Sequence, residues 1–413
     1  MKHLLIYEDQ YWPDLEPLTL TRPACLVRCG AGTLLEHIQS VAGAQKITIT
    51  CRPRFAVQIK ADLPGIAVNR LPKTPFYAVN GSWLMDAAGL RQLLELKPNH
   101  TLRIGNRIVA ARVDSIPASG KRRARWSATL LEDWPSKSIH GNVIQYPWDL
   151  VHLNKKQMKA AFIKPAQPAV APPGAVFVHP ERIRLGANVQ IDPGVVLDAT
   201  GGPIVMADDV HVMPQAVILG PAYLGRGTLV RIGARLYAGV SAGPVCKIGC
   251  EVSNSIIHGY SNVQHDGYLG NSYVGEWVNV GAGTITSDLK NTYGYIRVPT
   301  HQGYIDTHSR SVGSMIGDHS KIGIAGLLNS GSIIGIHCNL FGTGFQPRHV
   351  PSFAWGGQAG FAEYRFDKAV STAKRMMKRR GRNLSAEDIA VFRKVFDESE
   401  AFRVGFLATA ANR

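Results

Sequence analysis

The feature that most constrains this chain is an apolar residue that recurs every six positions. The longest run lies in the middle of the sequence and comprises Met206, Val212, Ile218, Leu224, Val230 and Leu236. A period of six fits neither an α-helix, whose period is about 3.6, nor a β-strand, whose period is about 2. Hexapeptide repeats instead build a parallel β-helix, in which short strands and corners alternate. The spacing therefore predicts a β-helix whose apolar residues point into a prism.

The alternative to a β-helix is a β-sandwich with glycine-rich turns. Sandwich strands alternate with period two, and their turns recur roughly every 8–12 residues. The six-residue spacing appears again at Leu185, Ile191 and Leu197, which favours the β-helix. The abundance of glycine, 42 of 413 residues, also suits an architecture with many turns. We expect the β-helix to occupy residues 175–350.

Three further segments flank this repeat. Residues 1–163 alternate strand and helix patterns, which predicts a layered α/β domain. Residues 164–174 are rich in proline, which is typical of a semi-rigid linker. Residues 351–413 have helical patterns, with a break at Gly381 and a capping box that begins at Ser385. We expect this helical tail to pack on the end of the prism or on a neighbouring subunit.

Within the first domain, local patterns predict individual elements. Strands are expected at residues 3–9, 47–51 and 102–110, and helices at residues 34–40 and 86–96. Residues 114–150 are irregular and include a basic patch, Lys121–Trp126, which we interpret as part of a solvated loop. A further helix that begins near Trp148 is expected to lead the chain out of the domain.

Composition excludes several classes of protein. The net charge is +16, but no DNA- or RNA-recognition motif accompanies the one dense basic cluster, Lys374–Arg382, so nucleic acid is not expected as a partner. Anionic small molecules explain a basic surface equally well. No apolar run reaches the ~18 residues of a membrane span, and the N-terminus does not resemble a signal peptide, which predicts a cytoplasmic protein. The six cysteines lack common zinc-site spacings and are expected to be free, buried thiols.

The segment His265–Thr286 carries the most specific information in the chain. Its sequence, HDGYLGNSYVGEWVNVGAGTIT, resembles without a gap the acetyltransferase domain of the bifunctional N-acetylglucosamine-1-phosphate uridyltransferase / glucosamine-1-phosphate acetyltransferase enzymes. The stretches TLTRPACLVRCG, SDLKNTYG, GDHSKIGI and FAWGG resemble a divergent branch of that family, described as sugar nucleotidyltransferases with a β-helix. The resemblance implies that the β-helix is left-handed and forms a homotrimer, with active sites between neighbouring prisms.

The resemblance also implies roles for individual residues. His265 matches the family's catalytic histidine, Tyr268 and Asn279 match positions that contact the sugar phosphate, and Ala282 and Gly283 match main chain that lies against acetyl-CoA. The chemistry needs a base because a sugar amine is largely protonated at neutral pH, and histidine has an ordinary pKa near ~6.5. The alternative is that His265 is a surface corner residue, Tyr268 a packing residue and Asn279 a turn asparagine.

The chain departs from the family pattern after Thr286. The well-known enzymes continue with Cys-Asn-Tyr-Asp, whereas this chain continues with SDLKNTY. We expect Asp288 to orient His265, as carboxylates orient catalytic imidazoles elsewhere. Lys290, Asn291 and Tyr293 are expected to refill the substrate pocket. The departure affects the identity of the sugar more than the class of reaction.

The first domain lacks the glycine-rich phosphate loop of nucleotidyltransferases. The loop after the first strand carries Thr21, Arg22, Arg28 and Gly30 instead, and ligands of α/β sheets bind beyond the carboxyl ends of the strands. We expect these four residues to bind nucleotide phosphates through bidentate arginine contacts and exposed N–H groups. If the domain is active, Mg²⁺ is required, and Asp86 and Asp149 are the candidate ligands. The alternative is a relic domain in which the two arginines form internal salt bridges.

Three functions follow from these observations. The first is an acetyl-CoA-dependent N-acetyltransferase that acts on an amino-sugar 1-phosphate, with an attached nucleotidyltransferase-like domain that forms a UDP-sugar if it is active. The second is a non-catalytic scaffold that binds nucleotide sugars. The third is a zinc enzyme with histidines shared across a subunit interface, for which His258 and His265 are the nearest pair in sequence.

Overall fold

The computed structural model describes residues 3–73, 75–115, 126 and 128–411, except for the side chains of residues 410 and 411. The strands of the N-terminal domain are β1 (His3–Tyr7), β2 (Arg28–Cys29), β3 (Gly32–Thr33), β4 (Lys46–Thr50), β5 (Ala67–Val68), β6 (Phe76–Asn80), β7 (His100–Ile104), β8 (Arg107–Val113) and β9 (Ser136–Ser138). Seven of them form a mixed sheet in the order β5-β4-β1-β6-β8-β7-β9, and β2 and β3 pair separately. The predicted α/β domain is confirmed.

The helices of this domain are α1 (Leu34–Ala42), α2 (Ala56–Asp62), α3 (Ala87–Leu94) and α4 (Pro147–Ala160), with 3₁₀ turns at Trp12–Leu15, Ala24–Leu26, Pro53–Phe55 and Ala128–Leu131. The prediction of one strand over residues 102–110 was wrong. The chain reverses between β7 and β8 at Gly105, whose φ of 54° is easily adopted only by a residue without a side chain. Of the basic patch at Lys121–Trp126, only Trp126 lies within the described residues, and it is buried against Phe76.

The second half of the chain forms a parallel β-helix with three faces. The strands of the first face are Val176–Val178, Val196–Asp198, Val217–Leu219, Arg235–Leu236, Glu251–Ser253, Tyr268–Gly270, Ile285–Thr286 and Leu327–Leu328. Those of the second face are Ile183–Leu185, Ile204–Met206, Ala222–Leu224, Val240–Ala242, Ile256–Gly259, Tyr273–Glu276, Met315–Ile316, Ile333–Ile334 and His349–Val350. Those of the third face are Gln190–Ile191, His211–Val212, Leu229–Val230, Lys247–Ile248, Asn262–Val263, Asn279–Val280, Lys321–Ile322, Asn339–Leu340, Ala354–Gly357 and the antiparallel Gly360–Glu363. The predicted β-helix is therefore confirmed.

The hexad residues fill the interior of the coil. The six that define the repeat are at most 1% exposed and belong to one continuous apolar cluster: Met206, Val212, Ile218, Leu224, Val230 and Leu236. Three hexads make one turn of the coil, so each apolar residue stacks on its equivalent in the next turn. We name the corners 1–2, 2–3 and 3–1 after the faces that they join. In the turn around residue 270 they are residues 271–272, 277–278 and 264–267, respectively.

One corner of the coil carries an insertion. Between Thr286 on the first face and Met315 on the second face, the chain leaves corner 1–2 and forms a hairpin of Arg297–Thr300 and Gly303–Asp306. The inner side of this hairpin packs on the second face of the coil and on the N-terminal domain, through Ile296 and Val298. The insertion therefore extends the second face rather than the first.

The C-terminal tail contains three helices, α5 (Phe366–Lys378), α6 (Ala386–Glu398) and α7 (Glu400–Ala411). The break at Gly381 and the capping box at Ser385 are present as expected, whereas the third helix was not expected. Part of the tail packs on the end of the coil, as expected: α7 lies on the terminal strand Gly360–Glu363, where Arg403 donates to Glu363 at 2.8 Å. The remainder was not expected, because it packs along corner 2–3 and reaches the N-terminal domain, where Arg54 pairs with Glu398 at 2.5 Å.

The surface under the tail is a column of stacked rings at corner 2–3. Successive turns place Tyr260, Trp277, His319, His337 and Phe353 there, with ring centroids 4.4 Å apart at the first step and 5.0 Å at the last. All five residues have φ between 52° and 61°. Left-handed backbone costs a non-glycine residue of the order of 1–3 kcal/mol, so the strain persists only where the surrounding contacts over-determine it. Those contacts include the stack itself and the covering helices.

The N-terminal domain packs on the second face of the coil. Asn154 of α4 donates to the Gly239 carbonyl at 2.8 Å, and Ser241 donates to the Gly30 carbonyl at 2.5 Å. A shared apolar cluster includes Val27, Tyr273 and Met315. The N-terminal domain and the tail thus cover the second face and corner 2–3. In the described part of the chain, no helix is long and apolar enough to cross a membrane.

Candidate functional site

His265 lies at corner 3–1, between the third-face strand Asn262–Val263 and the first-face strand Tyr268–Gly270. Its side chain is exposed, and within the described residues it forms no hydrogen bond or ion pair. No described residue of the N-terminal domain or the tail forms a hydrogen bond or ion pair with residues 264–267. The imidazole is therefore accessible, but it has no orienting partner within its own chain.

One turn of the coil after His265, corner 3–1 is formed by the glycine-rich segment Gly281–Thr284. The Thr284 N–H donates to the Gly281 carbonyl at 3.3 Å, and Gly283 has φ of 71°, as a type II turn requires. The Gly283 N–H donates to the Asp266 carbonyl at 2.8 Å, so it is not available to a ligand. Ala282 is exposed, and its N–H has no acceptor in the described part of the chain. Of these two residues, whose main chain is expected to lie against acetyl-CoA, only Ala282 has a free N–H.

Tyr268 is half-buried on the outer side of the first face. Its hydroxyl donates to Oδ2 of Asp288 at 3.4 Å. Burial, with the Asp288 carboxylate as the next contribution, raises the pKa of Tyr268 to about 12. The phenol is therefore a hydrogen-bond donor at neutral pH.

The strand register places two further polar residues beside Tyr268. Arg235 pairs with Glu251 in the register, and Glu251 pairs with Tyr268, so the three form one column on the first face. Arg235 and Glu251 lie 3.5 Å apart, and their side chains are 51% and 35% exposed, respectively. Sequence reasoning missed them, although the intervals of 16 and 17 residues, about one turn of the coil, are the signal that aligns them with Tyr268.

The expectation that Asp288 orients His265 was wrong for contacts within one chain. Asp288 lies beyond the end of a first-face strand at corner 1–2, whereas His265 precedes the strand at corner 3–1, so the face separates them. The carboxylate of Asp288 instead accepts from Asn271 Nδ2 at 2.6 Å and from Tyr268. Asp288 is thus the last member of a polar ladder in which Asn254 donates to Asn271 at 2.7 Å.

Asn279 lies on the third face and belongs to a second ladder of asparagines. Asn262 donates to Oδ1 of Asn279 at 3.2 Å, and Arg380 of the tail donates to Oδ1 of Asn262 at 2.5 Å. The next strand places Lys321 beside Asn279 in the register. This arrangement favours the alternative that Asn279 is a structural asparagine of the coil.

The three residues expected to refill the substrate pocket lie at the start of the insertion. Lys290 donates to the Tyr295 carbonyl at 2.5 Å, and Asn291 is exposed. Tyr293 is 68% exposed and has φ of 55°. Within the chain these side chains line none of the larger cavities formed by described residues. They lie near Asp288 rather than near His265.

The predicted phosphate loop of the N-terminal domain is buried against the coil. Arg22 binds Asp318 through both terminal nitrogens, at 2.6 and 3.2 Å, and Glu276 at 3.0 Å. Thr21 donates to the same Asp318 carboxylate at 2.5 Å. Although burial opposes the charged form, the two carboxylates hold the pKa of Arg22 above its usual value. The prediction that Thr21 and Arg22 are free for a phosphate was wrong, because the coil already supplies two carboxylates.

Arg28 and Gly30 are also buried, but Arg28 forms no ion pair among the described residues, and its Nε has no hydrogen-bond partner there. Arg28 donates to the Ala31 carbonyl at 3.2 Å, and its main-chain N–H donates to the Tyr273 hydroxyl at 2.9 Å. The Gly30 N–H, expected to face an anion, donates to Asn154 Oδ1 at 2.7 Å. Gly30 has φ of 71°, and a Cβ there would come within 2.7 Å of Gln157. Close packing under α4, rather than ligand binding, explains why position 30 is a glycine.

The carboxyl ends of the central strands hold ion pairs. Glu8 pairs with Arg52 at 3.0 Å, and Asp9 pairs with Arg107 at 2.7 Å.

The two carboxylates proposed as Mg²⁺ ligands, Asp86 and Asp149, do not fit that role, because both cap helices. Asp86 accepts from the Gly89 N–H at the start of α3, and Asp149 accepts from the Tyr146 N–H at the start of α4. Across the described residues, no three histidine, cysteine or acidic side chains are grouped so as to hold a metal ion.

His258, the second histidine considered for zinc, is buried on the second face. Its Nδ1 lies 2.7 Å from the Tyr273 hydroxyl, and its Nε2 lies 3.8 Å from Glu276. Burial lowers the pKa of His258 well below its usual value, and Arg22 and Arg28 act in the same direction. His258 and His265 therefore face different environments and do not converge within the chain.

Comparison with known proteins gives the following similarities. A family model described as sugar nucleotidyl transferase matches residues 4–164. The bifunctional protein GlmU of Acidithiobacillus ferrooxidans is 34% identical over 155 residues, which are 37% of this chain and 32% of that protein. GlmU of Azorhizobium caulinodans is 37% identical over 121 residues, or 27% of this chain and 26% of that protein. The matches thus span about a third or less of the length of these relatives.

Among solved structures, a UDP-N-acetylglucosamine acyltransferase of Francisella novicida covers 55% of this chain and 87% of its own, at 14% identity and a TM-score of 0.29. LpxA of Acinetobacter baumannii covers 46% of this chain and 70% of its own, at 14% identity and a TM-score of 0.22. The assignment of the β-helix rests on the strand pairing described above. Residues 4–164 match the sugar nucleotidyl transferase model, and the chain is similar to the GlmU proteins over about a third of its length.

Proposed function

We propose that the β-helix transfers the acetyl group of acetyl-CoA to the amine of an amino-sugar 1-phosphate, with His265 as the general base. One observation supports this proposal more than any other. The N-terminal domain and the tail cover the second face and corner 2–3, yet both leave the corner of His265 and the first face beside it exposed. The two ends of the segment that resembles the acetyltransferases, His265–Gly270 and Gly281–Thr286, therefore lie on the part of the coil that these two parts leave uncovered.

The reaction assigned to His265 is an acyl transfer. The amine nitrogen attacks the thioester carbonyl, the imidazole accepts the amine proton, and the resulting tetrahedral intermediate carries an oxyanion. Collapse of the intermediate breaks the C–S bond, and the imidazolium returns the proton to the departing thiolate. The free N–H of Ala282 is the donor that we assign to the oxyanion, because the Gly283 N–H is bonded to Asp266.

The acceptor is assigned to the first face. Arg235 provides a cation there that is about half exposed, and among the described residues only Glu251, at 3.5 Å, pairs with it. A sugar phosphate has the charge to compete for that arginine, and the Tyr268 hydroxyl, in the same column, can exchange its 3.4 Å contact with Asp288 for one with the ligand. One exposed face and one corner do not enclose a substrate, so we include a neighbouring subunit, in a homotrimer, as the opposite wall.

The test is the release of free thiol from acetyl-CoA with glucosamine 1-phosphate as acceptor. We expect His265→Ala to lower kcat by about 100-fold or more, as removal of a general base does. The matched control is His140→Ala, which removes an exposed histidine from the N-terminal domain. Equal turnover by the two variants would reject His265 as the base.

A second function is favoured for the N-terminal domain. Its predicted phosphate loop is bonded to the coil, and the carboxylates at its strand ends are paired with arginines. We propose that this domain, with its loop and carboxylates bonded in this way, does not transfer nucleotides and instead acts as a binding or structural domain. Incubation with UTP, Mg²⁺ and a panel of sugar 1-phosphates should release no pyrophosphate. Release that depends on the protein would refute this part of the proposal.

A further inference from the structure

A cavity of about 560 Å³ lies at the junction of five parts of the molecule. Its walls come from the loop after β1, the start of α4, the insertion hairpin, the last turns of the second face and the C-terminal helices α6 and α7. This volume falls within the range of roughly 300–1,000 Å³ that is typical of small-molecule sites. None of the residues assigned to acyl transfer lines it. The cavity is therefore a separate place for a ligand.

One part of the wall is apolar and aromatic. Trp148 at the start of α4 and Phe402 of α7 line the cavity, together with Ile333 and Val350 of the second face. The Phe402 ring also packs on the imidazole of His349, with centroids 4.5 Å apart. Such a wall binds the hydrophobic body of a ligand and does not by itself select its charge.

The polar part of the wall is acidic. Asp14, Glu16 and Glu398 all line the cavity. The Asp14 side chain is buried and accepts one hydrogen bond, from Gln302 Nε2 at 2.8 Å. The Glu16 carboxyl has no hydrogen bond, and no cation lies within 4 Å of it among the described residues. Burial raises the pKa of Glu16 to about 7, as expected for a carboxyl without a partner.

The nearby cations are already engaged. Arg52 pairs with Glu8 at 3.0 Å and stacks on Trp12, so it acts on Glu16 only at longer range. Arg54 pairs with Glu398 at 2.5 Å. The two histidines do not compensate either. Burial lowers the pKa of His349 to about 4, so it is neutral at pH 7. His301 Nε2 lies 3.6 Å from Asp14 Oδ1, and neither imidazole forms a hydrogen bond or an ion pair with Glu16.

We propose that this cavity binds a small molecule that has a protonated amine attached to an apolar body. The ammonium group lies against Glu16 and Asp14, and the apolar body packs on Trp148 and Phe402. An amine suits the wall because Glu16 has no cation within 4 Å among the described residues, whereas an anion would meet its carboxylate directly. The inference is independent of the acyl transfer assigned to His265.

Three probes that share one ring system test the charge preference. Tryptamine carries an ammonium group, tryptophol a hydroxyl group and indole-3-propionate a carboxylate. Calorimetric titration of the full chain at pH 8, where Glu16 is mostly ionised, measures the affinity of each. We expect tryptamine to bind about tenfold or more tightly than tryptophol, because one partly buried ion pair is worth about that factor. Indole-3-propionate should bind more weakly than tryptophol.

Variants locate the binding. Glu16→Gln keeps the shape of the side chain and should reduce the affinity for tryptamine about tenfold, with the affinity for tryptophol changed less than about twofold. Glu95→Gln alters an exposed glutamate at the end of α3 and should change neither. Three results would overturn the proposal: no tryptamine binding at about 1 mM, equal binding of the amine and the alcohol, or an unchanged affinity in Glu16→Gln.

Discussion

The contact between the N-terminal domain and the coil depends on one buried arginine, and Arg22→Met is the perturbation that tests it. Arg22 is 8% exposed and bridges Asp318 and Glu276, which lie about 250–300 residues away in the sequence. Methionine retains most of the apolar volume of the side chain but removes three hydrogen bonds and the positive charge. The two carboxylates then remain close together with no cation between them.

The expected cost follows from this geometry. Removal of one partner from a buried ion pair destabilises a protein by about 3–5 kcal/mol, because the remaining charge stays desolvated. Burial already raises the pKa of Glu276 in the native protein, so loss of Arg22 should raise it further. A carboxyl whose folded-state pKa is raised gains stability as the pH falls. The cost of Arg22→Met should therefore decrease between pH 7.5 and pH 5.5, by at most about 1.4 kcal/mol per pH unit for each carboxyl that titrates.

Urea unfolding, followed by circular dichroism and by tryptophan fluorescence, measures this cost. The control is Arg365→Met, because Arg365 pairs with Asp367 at 3.0 Å but both side chains are more than half exposed. An exposed pair is worth about 0–1 kcal/mol, so the control should unfold almost as the native protein does. A loss in Arg22→Met no larger than in Arg365→Met would refute the view that this ion pair holds the domain on the coil.

The remaining predictions concern single buried positions. Glu16→Gln should unfold at a higher urea concentration than the native protein at pH 8, but at a similar concentration at pH 4.5. The pKa of Glu16 is raised to about 7, so its ionised form destabilises the native protein, by no more than about 3 kcal/mol. His337→Phe should change the free energy of unfolding little at pH 7.5 but should increase it below about pH 6.5. Burial lowers the pKa of His337, so protonation of the native imidazole opposes folding as the pH falls. Urea unfolding of both proteins at the two pH values measures the difference. Gly30→Ala should destabilise by about 1–3 kcal/mol in thermal unfolding, since its φ is 71° and its Cβ would meet Gln157.

The coil could be predicted from the sequence because its signal is local and repeated. Each hexad specifies one strand and one corner, so residues from Met206 to Leu236 determine their own burial without reference to distant parts of the chain. The tail helices were partly predictable for the same reason, through Ser385 and Gly381. The side of the coil on which the tail packs was not predictable, since it depends on the ring column at corner 2–3.

The site was harder to predict because its partners are remote in sequence. Thr21 and Arg22 are residue types that are typical of a phosphate site, and only the fold shows that both donate hydrogen bonds to Asp318. Likewise, Asp288 follows His265 by 23 residues, but the intervening strands place the two at different corners. The coil's period could have aligned Arg235 with Tyr268, because a residue one or two turns earlier on the same face is a neighbour in space.

Substrates should bind at the corner of His265 and not at the buried loop of the N-terminal domain. Hydrogen exchange followed by mass spectrometry, with and without acetyl-CoA and glucosamine 1-phosphate, compares these two places in one experiment. We predict slower exchange of the amides of residues 264–286 when both ligands are present, and unchanged exchange in residues 19–33. Protection confined to residues 19–33 would contradict the claim and would place the ligand on the N-terminal domain instead.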